Sequence, residues 1–217
     1  MQKINYYKIY IIFFLIFMLT GCDKITVFPN DKNSKIKTIE NIITGLVIDY
    51  YSNSGRSIDR NKILVCKIKP YESGYLALTL YAGEGPQLVL FYIDKDKNNN
   101  YLISKKSYGE LAISMGFSAN RVVDNDNTII FGNLNESTWM PSTDKRKLTN
   151  YSKMTVKFEN GKLINEDFKT REKGYIILLN SNSRVVSILL YDSKNQIVNS
   201  LEDFNQCGNG INDTELN

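Results

Sequence analysis

Histidine is absent from all 217 residues, and that absence removes more chemistry than any single motif supplies. Ser-His-Asp and Cys-His nucleophile systems, histidine-ligated zinc and imidazole general bases are all excluded. An enzyme built here would need carboxylates, lysine, tyrosine or an unassisted nucleophile. Cysteine is sparse too: Cys22, Cys66 and Cys207 are the three present, and their spacing fits no metal site. No charge sign dominates, since 27 basic residues face 23 acidic ones. That balance argues against nucleic acid or an anionic surface as partner. The longest apolar run, Ile9–Gly21, falls short of the roughly 20 residues that a spanning helix needs. No internal repeat of fixed period is present.

What is present begins at the N-terminus. Lys3 and Lys8 precede an uncharged apolar run that ends in Leu19-Thr20-Gly21-Cys22. A basic n-region, an apolar h-region and small residues at its end make an export signal. Leu19-Thr20-Gly21-Cys22 resembles the lipobox of bacterial lipoproteins. The resemblance implies that Cys22 is diacylated, with palmitate-type chains, and becomes the mature N-terminus. It also implies a lipid-anchored protein on the extracytoplasmic side of the cell membrane, in the cell envelope. Each buried methylene adds about 0.8 kcal/mol, so two acyl chains hold where one would not. The Lys-, Asn- and Ile-rich remainder resembles only lipoproteins of Gram-positive bacteria with no assigned activity, which imply none here.

The net charge of +4 includes Lys3 and Lys8, so the mature chain is close to neutral. An apolar content of 42%, with 12% aromatic, is enough for a substantial core. With Cys22 committed to lipid, Cys66 and Cys207 are left in an oxidising compartment. They either form a disulfide or stay apart. The sequence favours a buried free thiol at Cys66, which shares a strand face with Leu64 and Ile68, whereas Cys207 sits in a polar tail.

The expected fold class is α+β, with an N-terminal amphipathic helix packed on an antiparallel sheet, followed by a β-rich sandwich-like unit. Residues 1–21 read as signal, 22–37 as flexible tether, 38–107 as helix plus sheet, 108–204 as the β-rich unit and 205–217 as a disordered tail. In the helix, Ile39, Ile42, Ile43, Leu46, Val47, Tyr50 and Tyr51 line one face, with Thr38 as N-cap. Strands follow at 62–69, 75–82, 87–93 and 101–105, separated by Pro70–Gly74 and Gly83–Pro86. Ala112–Phe117 and Asn127–Leu134 are expected strands, and Asp144–Lys147 a surface loop. Asn160-Gly161 is the strongest hairpin signal. It is followed by strands at 163–169, 174–179, 185–191 and 196–201. The apolar runs at 175–179 and 185–191 read as strands covered on both faces.

Few constellations carry chemistry. Asp94, Asp96, Asn98 and Asn100 alternate as calcium ligands do in EF-hand loops. Asn99 replaces the required glycine, however, and Lys105 the bidentate glutamate, so a polar hairpin loop is the favoured reading. Ser114–Ser118 lacks the glycine pattern and the histidine of a nucleophile elbow. Gly83-Glu84-Gly85-Pro86 has no helix behind it with which to cradle phosphate. Glu84, Glu110 and Glu136 could supply the carboxylate pair of a glycan hydrolase only if two of them faced one cleft. Trp139 is the best choice for an interaction patch. No cofactor is expected. The reading is a non-catalytic binding or interaction module with an envelope protein as partner class. The alternative is a carboxylate-dependent cell-wall glycan hydrolase.

Overall fold

The computed structural model describes residues 32–53, 59–83, 85–112, 116–140, 145–170, 172–202 and 210–217, with backbone alone at 32–38, 60, 137–140 and 145–147. The chain divides into two compact units, 1–38 and 39–217. Of the first, only the helical backbone from Lys32 is described. Among the described residues the chain is mostly β, with one α-helix, three four-stranded sheets and a two-stranded ribbon. No described helix is long and apolar enough to cross a membrane.

Helix α1 spans Lys32–Asn53, starting well before Thr38. The tether expected over 22–37 therefore gives way to helix at Lys32, because no proline or glycine lies between Pro29 and Thr38 to stop propagation toward the N-terminus. Ile43, Val47 and Tyr51 recur every four residues and are buried against Ala77, Val89, Phe91 and Ile93. Each such aliphatic side chain contributes roughly 1.5–3 kcal/mol on burial.

The first sheet is an antiparallel meander of β1 (Ile63–Tyr71), β2 (Gly74–Tyr81), β3 (Gln87–Lys95) and β4 (Tyr101–Gly109). Its even-numbered apolar residues, Leu76, Leu78, Leu88, Leu90 and Tyr92, point away from the helix into a second layer. The chain then gives β5 (Asn120–Asp124), β6 (Asn127–Asn133), a ribbon of β7 (Ser137–Met140) and β8 (Lys145–Leu148), β9 (Lys153–Phe158) and β10 (Leu163–Asp167). It continues with β11 (Gly174–Leu179), β12 (Val185–Tyr191), β13 (Ile197–Ser200) and β14 (Asn212–Asp213).

The middle sheet runs β11-β6-β5-β14, its last pairing parallel, and the third runs β10-β9-β12-β13. Val122, Ile129, Phe131 and Ile176 face the first sheet. Ile130, Tyr175, Ile177 and Leu179 face Met154, Val156, Phe158, Ile188 and Leu190 of the third. The middle sheet is thus assembled from three separate stretches of chain, and its apolar layers draw on both sides of the boundary expected near residue 107.

Several expectations are corrected. The tail expected from Asn205 onward is ordered at 210–217, where Asn212 and Asp213 pair with Asn120 and Arg121. Parallel pairing satisfies its backbone groups, and Leu216 gains an apolar contact. The charged loop expected at 144–147 is β8 over its described part, paired with β7 so that Trp139 opposes Arg146. Ladder bonds form between backbones whatever charges alternate outside them. Of the strand expected at 112–117, residues 113–115 lie outside the described residues, and Phe117 makes only an isolated bridge to Leu134. Strand β5 is absent from the expected elements. Its buried Asn120 and Asp124 look like loop residues, yet both have partners: the Asn120 amide accepts from Glu110 N (2.7 Å) and donates to Phe131 O (3.3 Å). Strand β12, expected to be covered on both faces, leaves Val186 52% exposed, because the third sheet is an outer layer.

Candidate functional site: a polar cleft at the junction of two sheets

A cleft of about 560 Å³ opens where the middle and third sheets meet. Arg121 of β5, Glu159 and Asn160 of the β9–β10 hairpin, Asn182, Ser183 and Arg184 before β12, and Asp213 of β14 line it. Arg121 alternates with buried Val122 and so projects away from the apolar layer that Val122 joins. Its Nη1 donates to Asp213 Oδ1 and its Nη2 to Asn182 Oδ1, both at 2.9 Å. The rim is fixed by its own bonds. Asn160 Nδ2 donates to Ser181 Oγ (3.1 Å), Ser183 N to Thr128 Oγ1 (3.0 Å), and Thr128 Oγ1 to Ser181 O (2.8 Å). The β9–β10 wall stands on Asn160-Gly161, where Gly161 takes φ +81, a conformation that costs glycine nothing.

Chemically, the cleft offers two guanidinium groups, two carboxylates, two amides and a hydroxyl. Opposed charges and mixed donors and acceptors suit a polar, hydrated ligand. No lining residue pairs a nucleophile with a base, so the arrangement can bind and orient but supplies no activated attacking group.

Two ionic networks lie elsewhere. Lys67 Nζ meets Glu166 Oε1 (3.0 Å) and Glu172 Oε1 (2.5 Å), and Lys69 Nζ meets Glu166 Oε2 (3.1 Å). Lys69 also donates to Ile176 O (2.9 Å), which caps the open edge of β11. Burial pushes the Lys67 ammonium down, but the two glutamates outweigh it and leave the group raised. Lysine held charged in this way is no nucleophile. In the second network, buried Asp124 accepts from Lys105 Nζ (2.9 Å) and Tyr71 OH (3.0 Å). Burial pushes Tyr71 up to about 12 and raises the neighbouring Tyr92 as well, so neither phenol ionises near neutrality.

The residues singled out in the sequence scatter. Cys22 and Cys207 lie outside the described residues, as do Ser114 and Glu84. Cys66 is a free, partly buried thiol, and burial pushes it up to about 12, away from the thiolate that reactivity requires. Glu110 is exposed, and Glu136 pairs with Lys173 at 2.9 Å. Neither lines the cleft. For Trp139 only the backbone, in β7, is described.

The Asp94–Asn100 stretch turns the chain between β3 and β4. Asp96 Oδ1 accepts from Asn98 N (2.7 Å) and Asn100 N (2.8 Å), and Asn99 takes the left-handed conformation at φ 63. Asp192 repeats the device between β12 and β13. It accepts from Lys194 N and Gln196 N (both 2.9 Å), with Asn195 at φ 60. The alternating oxygens therefore follow from turn geometry. The bonds from Asn100 hold the Asp96 carboxyl below its ordinary range. Among the described residues no cluster of three or more acidic or cysteine side chains could hold a metal. Millimolar calcium is expected to leave the melting temperature unchanged, whereas Asp96→Ala should lower it with or without calcium. A calcium-dependent rise lost in Asp94→Ala and Asp96→Ala would reinstate the cation.

Sequence reasoning missed Arg121, Arg184 and Asp213. Arg121 and Asp213 are 92 positions apart, and no local pattern joins them. No protein-family model, curated protein or solved structure matches the chain.

Proposed function

We propose that the chain is a lipoprotein held on the extracytoplasmic face of a membrane through diacylated Cys22, working there as a non-catalytic binding or interaction module. Leu19-Thr20-Gly21-Cys22 supports the anchor. The observation that carries the binding role is the Arg121–Asp213 cleft, whose walls are fixed, whose charges are balanced and whose lining holds no nucleophile–base pair. In this reading residues 1–21 are signal, α1 covers the first sheet, and the middle and third sheets form a sandwich that carries the site. Partners are envelope proteins or other polar envelope components that approach the cleft.

Mass analysis and fractionation of Cys22→Ser test the anchor. The wild-type chain is expected to begin at a lipid-modified Cys22 and to partition with membranes, and the variant to persist as an unlipidated precursor. Normal maturation and anchoring of Cys22→Ser would overturn the lipoprotein. Cross-linking on intact cells tests the site, since Arg184→Ala combined with Glu159→Ala should reduce partner capture without changing the amount of protein. Undiminished capture would move the interaction off the cleft.

A further inference from the structure

Residues 210–217 are bound by the fold in the way that a peptide ligand is bound. Asn212 N donates to Ala119 O (3.0 Å) and Thr214 N to Arg121 O (2.8 Å). Asn217 then exchanges two backbone bonds with Lys106, each 2.9 Å. The segment thus bridges from β5, otherwise an edge of the middle sheet, to β4, the edge of the first. Side chains add selectivity. Ile211 packs into the layer between the middle and third sheets, and Leu216 into the layer between the first and middle. Between these anchors Asp213 pairs with Arg121 (2.9 Å), and the Thr214 hydroxyl accepts from Ser107 Oγ (2.7 Å).

Backbone pairing to an open edge, with pockets for spaced side chains, is recognition by strand addition. We propose that the gap between the β5 and β4 edges is a recognition slot for an extended peptide of pattern Ile-x-Asp-x-x-Leu, filled in cis by residues 211–216, and that its ligand in trans is the same segment of a second copy. The occupant seen is the chain's own, so an identical segment from a neighbour fits every contact. Arg121 holds the acidic position whichever copy supplies it. The proposal deepens the interaction-module reading and rests on it only for the crowding of copies on one membrane, which raises effective concentration.

The test uses the chain in detergent, cut short after Asn209 but otherwise intact, and a labelled synthetic peptide of residues 210–217. Saturable binding is expected, weakened about tenfold or more by Leu216→Ala in the peptide. If the shortened chain is unfolded alone, the same titration should restore its near-ultraviolet circular dichroism. No binding and no restoration, or equal binding of the substituted peptide, would overturn the slot. Two differently tagged full chains, warmed together and cooled, should then yield mixed dimers that form only when residues 210–217 are present. Peptide binding without mixed dimers would overturn the second copy as occupant. The peptide arm does not involve Cys22, so a failure here is distinct from a failure of the lipid anchor.

Discussion

Gly132→Ala is expected to lower stability by about 3–5 kcal/mol, because overpacking and a broken buried hydrogen bond fall on the same spot. Gly132 lies in β6, in the middle sheet, opposite Tyr175 of β11. A Cβ there would stand 1.9 Å from Ser118 O and 2.9 Å from Tyr175 Cε1. The first neighbour is backbone, so the strain cannot be relieved by turning a side chain. Ser118 O accepts from the Tyr175 hydroxyl at 2.6 Å, and Tyr175 is fully buried. Moving the 116–119 segment away therefore leaves a phenol without its acceptor in an apolar layer. Domains of ordinary stability, roughly 5–15 kcal/mol, lose much of their margin to a change of that size. Gly45→Ala supplies the opposite case. Nothing lies within 4 Å of a Cβ there, and in the middle of α1 alanine should add roughly 0.5–1 kcal/mol. Urea midpoints for the two variants should move in opposite directions. A Gly132→Ala midpoint within error of wild type would refute the close approach.

The same middle sheet separates what could be read in the sequence from what could not. The runs at 174–179 and 185–191 match β11 and β12 in extent, because β-branched and aromatic residues bounded by polar turns are a local signal. Burial on both faces is a different matter. It is right for β11, which belongs to the middle layer, and wrong for β12, which belongs to an outer one, and layer membership depends on partners far away in sequence. Asn160-Gly161 marked its hairpin because one residue must take positive φ. Nothing local marked β5, whose Asn, Arg and Asp find partners only in the folded protein, nor β14, two residues long. Arg121 and Asp213 sit on those two strands, so the cleft escaped for the same reason. The acidic loop at 94–100 reads as a polar hairpin turn, which is what it forms. Its oxygens were legible, but whether they face a cation or the chain's own amides depends on turn geometry.

Asp124→Ala is expected to cost about 3 kcal/mol near neutral pH, by removing a buried acceptor that two groups share. Asp124 ends β5 with its carboxylate 5% exposed. Lys105 reaches it from β4 and Tyr71 from the end of β1, so one carboxylate joins the middle sheet to two strands of the first. Lys105 is 45% exposed and can return to water, which limits its share of the cost. The Tyr71 hydroxyl would keep only the donor Asn127 Nδ2, at 3.3 Å. Beside it the buried Tyr92 hydroxyl has no hydrogen-bond partner among the described residues, so little nearby can compensate. The pH dependence separates this network from an ordinary surface pair. Burial above all, and then the bond to Asp124, push Tyr71 up to about 12. The bond to Asp124 also raises Lys105. Both folded values lie above the unfolded ones, so these contributions are complete below about pH 10 and are lost as pH rises through the folded values. The variant has less to lose there. Its deficit, measured by urea unfolding, should therefore shrink between about pH 7 and about pH 12. A deficit of the same size at both ends would mean that neither proton is linked to Asp124, and that the carboxylate holds the two sheets together through packing alone.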